Sequence, residues 1–419
     1  MNTTLENLNP FRTKLSWLQL NRMPSFAVIG ACFYIASLGM PFQFKLDIPL
    51  LILSLFSVLM VFSSNERIRI TKLPLVLLVS VFIVTTGISI LFSQDISRSM
   101  KLSVSLLPTL LIFSLIVIHF KGIKDIRSIC IALSGTVLWL SFMLIWDMSI
   151  NGKMDPFLSV SDIGSPILVV KNDVTFLSLV APISLSLLYS KPGVITRIIA
   201  GLSVFLSIIV IGFFQSRVAM LTIIVSITCF FTLIQPKKGL ISCIGTLIAI
   251  LLIDGIMGSP LIERFVQYWD GTGRIPLWLS AWKMFLDAPL LGQGPHTFVL
   301  FYNSYLQNIS LPPWLFVDHR IVPWAHNLYL EVLAEQGLIG FSALVLLLVR
   351  GLFIAWNLRQ AKSHEIRIMG YGVFAALGGF CFAAATELTF LRQWVLIMMF
   401  TLLGLITHLS FQTDKKELA

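Results

Sequence analysis

His326 is the residue of this sequence best suited to proton transfer, because it ends a long hydrophilic loop and precedes an apolar run of helical length. A histidine side chain can accept the proton of a hydroxyl group near neutral pH. We therefore predict that His326 is a general base, against the alternative of a helix-start histidine bonded to backbone groups. His319 is a second candidate base, whereas His296 follows a proline and is expected to cap or pack.

Arginines at four positions could bind a phosphate, because a guanidinium stays charged and can hold two oxygens at once. Arg217 and Arg274 are the stronger candidates. The alternatives are a side chain that extends to the membrane surface for Arg217 and an interfacial anchor or salt bridge for Arg274. For Arg392, an ion pair with Glu387 is an equal alternative to substrate binding. Arg320 is the weakest candidate, since a basic loop residue is usually just solvated.

Metal and cofactor sites have no support in the sequence, which contains no P-loop, GxGxxG, HExxH or DxD motif. The five cysteines all fall inside apolar segments, and none of them is spaced like a metal-binding or disulfide pair. We predict no metal and no cofactor, so arginines are the groups expected to balance phosphate charge.

The composition predicts an all-α polytopic membrane protein, because 57% of the 419 residues are hydrophobic and only 12% are charged. The apolar segments are continuous runs, as in membrane helices, and not the alternating pattern of barrel strands. The first run has no convincing cleavage site after it and is expected to be a retained helix. Twelve spans are predicted, at 25–44, 46–62, 73–92, 102–120, 129–149, 174–190, 195–213, 217–234, 239–257, 327–349, 367–388 and 391–409.

Lys and Arg residues concentrate in alternate loops, which predicts orientation because basic loops remain in the cytoplasm. This pattern places both termini in the cytoplasm and gathers His326 and the four arginines on the periplasmic face. The formal net charge of +10 then reflects topology and attraction to anionic lipid headgroups, and it does not indicate nucleic-acid binding.

Three regions follow from these spans: residues 1–257 with nine helices and short loops, a periplasmic loop at 258–326, and residues 327–419 with three helices and a cytoplasmic tail. Within the loop, apolar residues recur at helical spacing after Arg274, and Pro276 suits a first helical turn. This amphipathic helix is expected to lie in the interface or to pack on the bundle. A turn at 292–295 and a second short helix within 296–307 should complete a structured lid over an opening between helices.

The sequence resembles the O-antigen ligases and related O-antigen polymerases in three places, which together span roughly residues 210–345. The first is Gln-Ser-Arg at 215–217, and the second is the segment from Arg274 to Ala-Pro-Leu-Leu-Gly-Gln-Gly at 288–294. The third and most specific begins with His-Asn-Leu-Tyr-Leu-Glu and fills residues 326–340. Asn172 and Asp173 also resemble an outer-loop asparagine of the family.

The resemblance implies a GT-C-like, metal-independent, inverting glycosyltransferase of the bacterial inner membrane. Its donor would be a glycan on undecaprenyl diphosphate and its acceptor a sugar hydroxyl of lipid A–core, joined at the periplasmic face during lipopolysaccharide biosynthesis. His326 corresponds to the family's catalytic histidine, and Arg217 and Arg274 to its essential arginines. Asn327 is expected either to contact sugar hydroxyls or to cap the following helix.

Two other functions remain open. The family signature is shared with O-antigen and exopolysaccharide polymerases, which extend lipid-linked repeat units, although the length and single large loop look more like a ligase. A polysaccharide transporter or flippase is the alternative from another class. Transporters usually carry charges in mid-span and show repeat symmetry, and neither feature is evident in the sequence.

Overall fold

The computed structural model describes residues 26–40, 73–151, 173–190, 193–214, 216–256, 258, 273–312 and 324–417. Within these ranges the regular structure is helical, and no strand occurs. The α-helices are α1 (Phe26–Ala36), α2 (Val76–Leu91), α3 (Ile96–Ser103), α4 (Leu106–His119), α5 (Ile123–Asn151), α6 (Thr175–Tyr189), α7 (Val194–Phe214), α8 (Arg217–Ile234), α9 (Pro236–Ile256), α10 (Ile275–Asp287), α11 (Phe298–Gln307), α12 (Leu328–Asn357), α13 (His364–Ala384) and α14 (Gln393–Glu417).

Eight candidate membrane spans occur in the described part of the chain, each long and apolar enough to cross a bilayer; α3 and α4 together form one of them. Helices α1, α2 and α6 are apolar but shorter. Each predicted segment coincides with one of these helices, except 46–62, which lies outside the described residues. The all-helical, multi-pass architecture is thus confirmed, whereas the total of twelve spans stays a prediction.

Helix α12 is longer than the apolar segment predicted at 327–349, because it continues as far as Asn357. The basic residues in this last part of α12 and just after it do not interrupt the helix. The guanidinium of Arg350 lies over the ring of Phe353, and that of Arg359, just past the helix end, lies over Trp356. Long basic side chains can cover apolar surface while the charge stays at the membrane edge.

The centre of the bundle is formed by α6 and α14, whose side chains are almost all buried. Trp394 of α14 meets the edge of Phe176 of α6, and Phe400 packs against Phe82 and Phe113. Hydroxyl groups link α6 to its neighbours, since Ser184 hydrogen-bonds Ser134 of α5 and Ser203 of α7. Helices α7, α8 and α9 expose many large apolar side chains, as expected of surfaces that face lipid.

Helix α12 is broken at Gly337, which has a φ of 64° that residues with a side chain rarely adopt. The segment after α10 enters this break. Its backbone supplies the hydrogen bonds that a continuous helix would have made. The N–H groups of Gln293 and Gly294 donate to the carbonyls of Ala334 and Glu335 at 3.0 and 2.8 Å. On the other side of the break, the carbonyls of Pro289 and Leu290 accept from the N–H groups of Leu338 and Ile339 at 2.8 and 3.2 Å.

Residues 289–294 and 334–339 thus form a joint between the loop and α12. The joint brings together two of the three segments that carry the family resemblance, residues 288–294 and 326–340. A Cβ added to Gly337 would lie 2.4 Å from the backbone of Leu290, and one added to Gly292 would lie 2.2 Å from that of Glu335. The glycines are therefore needed where two backbones touch. The break lies inside the apolar segment predicted at 327–349 and is not evident from the sequence.

The loop helices pack on the bundle, which is one of the two predicted locations of α10. Pro276 lies in its first turn as predicted. Leu277, Ala281 and Met284 of α10 form a buried cluster with α11 residues and with Ala334 of α12. The predicted turn and second loop helix are also present, the latter as α11.

Candidate functional site

His326 lies in a tight turn immediately before α12. Its φ is 51°, a left-handed conformation that histidine tolerates better than most residues. The turn is fixed on its helix side by Asn327, whose Oδ1 accepts hydrogen bonds from the backbone N–H groups of Tyr329 and Leu330 at 3.1 Å each. Asn327 is thus the helix cap, as one of its two predicted roles required. Its amide nitrogen is left as the group that could contact a substrate.

Glu387 lies beside the imidazole of His326, in the turn between α13 and α14. Its Oε2 is 3.8 Å from Nδ1 of His326 and accepts a hydrogen bond from Nη2 of Arg274 at 3.0 Å. A second nitrogen of Arg274 donates to the carbonyl of Thr386. One carboxylate oxygen therefore connects the predicted base with one of the predicted phosphate ligands.

The pKa of Glu387 reflects this cluster of basic groups. Burial alone would raise it, but the neighbouring His326, and then the charges of Arg274 and Arg392, lower it by more, so the pKa of Glu387 lies below its ordinary value. Glu387 is therefore an anion at neutral pH. The sequence identified Glu387 only as a partner of Arg392. The available signal was an acidic residue in a short turn on the same predicted face as His326.

Arg217 and Arg274 lie close enough to affect each other. Burial lowers the pKa of Arg274, Glu387 raises it, and the positive charge of Arg217 lowers it again. Arg217 is half-buried at the first position of α8, where Ser216 caps the helix by accepting the N–H of Ala219. The structure thus brings two predicted phosphate-binding guanidinium groups to the same end of the bundle as His326.

Arg392 forms the other side of the site. Its Nη1 lies 2.9 Å from Oδ1 of Asp173, at the beginning of α6, and 3.8 Å from Oε1 of Glu387. Its guanidinium also lies 4.7 Å from the ring centroid of Trp324. The ion-pair alternative proposed for Arg392 is therefore present, and the pairing extends to Asp173, which the sequence had not linked to it.

Two buried glutamates hold the surrounding backbone. Glu331 accepts a 2.6 Å hydrogen bond from Thr389 and so tethers the α13–α14 turn to α12. Glu335 accepts hydrogen bonds from the backbone N–H groups of His296 and Phe298. His296 is buried there, in agreement with its predicted packing role.

Two predicted residues, Arg320 and His319, lie outside the described residues. Among the residues that are described, no group of three or more His, Cys, Asp or Glu side chains is arranged to hold a metal ion. The five cysteines are free thiols.

A family model described as O-antigen ligase matches residues 202–345. The matched segment begins in α7, contains Arg217, Arg274 and His326, and ends in α12 after the joint at Gly337. A comparison with curated proteins found no match. The matched segment contains Arg217, Arg274, His326 and the interlocked loop, so residues 202–345 of this chain are similar to the O-antigen ligase family.

Proposed function

We propose that the protein transfers a glycan from undecaprenyl diphosphate to a sugar hydroxyl of lipid A–core, at the periplasmic face of the bacterial inner membrane. The supporting observation is that Glu387 connects His326 and Arg274 through one carboxylate oxygen, with the charge of Arg217 also reaching Arg274. A base and two cations at one end of a membrane bundle are what transfer from a lipid-linked diphosphate requires.

The proposed reaction needs only these side chains. His326 accepts the proton of the acceptor hydroxyl as its oxygen attacks the anomeric carbon of the donor sugar. The bond from that carbon to the diphosphate oxygen breaks on the opposite side, which inverts the configuration, and its electron pair leaves with the diphosphate. Arg217 and Arg274 stabilise that charge. Arg274 uses two N–H groups to bond the 386–387 turn, and its other N–H groups remain as donors for the phosphate.

Glu387 is proposed to orient the base. An acceptor-only carboxylate beside Nδ1 favours a proton on that nitrogen and stabilises the imidazolium that forms during transfer. Arg392 and Asn327 remain candidates for binding the sugars. The periplasmic location, the cytoplasmic termini, the twelve spans and the GT-C-like architecture belong to the same proposal.

The test is glycan transfer by the purified protein from an undecaprenyl-diphosphate-linked glycan to lipid A–core, with EDTA present. His326→Ala and Arg217→Ala should each lower the rate by about 10²–10⁴-fold, the usual contribution of such groups. His364→Ala and Arg197→Ala are matched controls, because these residues are exposed and lie away from the site. Full transfer by His326→Ala would reject the assigned base.

The acceptor is tested separately in cells, by deleting the gene and separating lipopolysaccharide on a gel. Core without any attached glycan is the result expected of a lost ligase. Core that bears single repeat units would instead identify a polymerase, and absence of lipid-linked glycan from the periplasmic face would indicate a flippase.

A further inference from the structure

Trp324 contacts the proposed base directly. Its indole Nε1 donates a hydrogen bond to Nδ1 of His326 at 3.1 Å, and the two ring centroids are 5.3 Å apart. An indole N–H can only donate, so Nδ1 must present its lone pair to Trp324. A neutral imidazole carries a single proton, which in this arrangement is on Nε2. The one nitrogen able to accept a proton is therefore already occupied.

Glu387 requires the opposite arrangement of the same ring. Its carboxylate can only accept, so a hydrogen bond to it needs the proton on Nδ1. The present separation of 3.8 Å would have to shorten by roughly 1 Å to make that bond. The lone pair would then be on Nε2, free to accept a hydroxyl proton. Trp324 and Glu387 thus compete for one nitrogen and favour different tautomers.

Trp324 is held on the Arg392 side of the carboxylate. Arg392 lies over the indole ring and nearest to Oε1 of Glu387, whereas Arg274 and His326 are nearest to Oε2. Asp173 anchors Arg392 at 2.9 Å. The group that displaces Trp324 is therefore expected to enter away from the arginines assigned to the diphosphate. An acceptor sugar, whose hydroxyls suit Arg392 and whose ring suits an indole face, fits that description.

We propose that Trp324 is a positioning residue that keeps His326 in the tautomer unable to act as a base until the acceptor sugar displaces the indole. The proposal rests on the function proposed above, in which His326 is the base. On displacement, Nε2 releases its proton to solvent and Nδ1 takes one up, so the ring remains neutral. Nδ1–H then bonds Glu387, and Nε2 faces the acceptor hydroxyl.

The first test is chemical modification of His326 by diethyl pyrocarbonate, which attacks an imidazole nitrogen that has a free lone pair. Trp324→Phe keeps an aromatic ring beside Arg392 but removes the N–H donor. The rate at His326, followed by mass spectrometry of the full-length protein in detergent, should rise by about threefold to tenfold, the range that a typical net hydrogen bond gives. Trp282→Phe, which removes an exposed indole of α10, should react like the wild type.

The second test separates binding from chemistry in the transfer assay. Because the acceptor no longer has to displace a bonded indole, Trp324→Phe should lower the KM for lipid A–core by about the same factor, with kcat unchanged. A purely structural role for Trp324 would instead lower kcat. If Trp324→Phe cannot be recovered folded, Trp324→Met, which also lacks the donor, replaces it in both tests.

The outcomes are distinguishable from those for the proposed function. A wild-type modification rate in Trp324→Phe overturns the proposal about Trp324, whatever the transfer assay shows. Faster modification together with a lower KM supports it. Full transfer by His326→Ala overturns the assigned base, and with it the catalytic consequence of the tautomer, without altering the modification result.

Discussion

Glu331 on α12 and Thr389 in the α13–α14 turn are joined by a buried 2.6 Å hydrogen bond. Because Glu387 lies two residues before Thr389, this bond fixes the distance between the helix that begins after His326 and the carboxylate beside its ring. The other oxygen of Glu331 makes no hydrogen bond. Thr389 is thus the side-chain hydrogen-bond partner of the Glu331 carboxyl group.

Replacing Thr389 with valine should destabilise the protein by about 1–3 kcal/mol, because a buried carboxyl group would lose its hydrogen-bond partner. The same change should lower transfer by moving Glu387. Thr401→Val on α14 is the matched control, since Thr401 is equally buried and its hydroxyl makes no hydrogen bond. Reversible unfolding in detergent measures the stability of both variants. Equal stability of Thr389→Val and Thr401→Val would contradict the proposed tether.

Gly337→Ala should destabilise the joint between α12 and the loop. The left-handed backbone alone costs about 1–3 kcal/mol for a residue with a side chain, and the new Cβ would overlap Leu290. Gly378→Ala, inside α13, has open space around the new methyl group and should be neutral or slightly stabilising. Thermal unfolding of the two variants compares them, and equal midpoints would argue against the broken helix.

Glu387→Gln should reduce transfer by at least about tenfold, because the neutral amide stabilises neither the imidazolium of His326 nor the position of Arg274. Glu365→Gln is a suitable control, since it removes an ion-paired carboxylate at the start of α13, where it pairs with Arg127. Rates at saturating donor and acceptor provide the comparison. Wild-type kcat in Glu387→Gln would exclude an orienting role.

Acid should destabilise the protein through His296. Burial, and then the positive charge of Arg98, lower the pKa of His296 to about 4 from 6.5. Because the unfolded chain binds this proton more readily, His296 favours the folded state above pH 6.5, and that contribution is lost as pH falls towards 4.

His296→Asn isolates this contribution, since asparagine also tolerates the φ of 62° at that position. Between about pH 7 and pH 4 the wild type should lose about 1–3 kcal/mol more unfolding free energy than the variant, given 1.36 kcal/mol per pKa unit. Unfolding curves across this pH range measure the difference. Parallel pH profiles would show that His296 does not carry the effect.

The helices could be predicted because long apolar runs leave the backbone no alternative in a membrane. The loop helix α10 was also predictable from the spacing after Pro276, and the cap at Asn327 from its position before α12. The break at Gly337 was not, because a glycine inside an apolar run resembles an ordinary small residue of a membrane helix. It depends on the backbone of Leu290, which is distant in sequence.

The arginines and His326 were predicted from residue type and side of the membrane. The structure connects Arg274 with His326 through Glu387 and places Arg217 within electrostatic reach of Arg274. Glu387 could not be identified as the partner of His326, because that contact depends on how the α13–α14 turn packs over α12. The contact of Trp324 with His326 could not be predicted either, since no sequence pattern shows where an indole N–H points.

The joint at Gly337 also has a mechanical meaning. The segment after α10 is hydrogen-bonded to both halves of α12. Its residues 293–296 are also hydrogen-bonded to Gln94, in the α2–α3 connection, and to Arg98 and Ser99 of α3. These hydrogen bonds join α3, the segment after α10 and the first turns of α12 into one unit. If this unit tilted to admit a bulky lipid-linked sugar, His326 would move with it, because His326 directly precedes α12. Substrate entry and alignment of the imidazole would then be one movement.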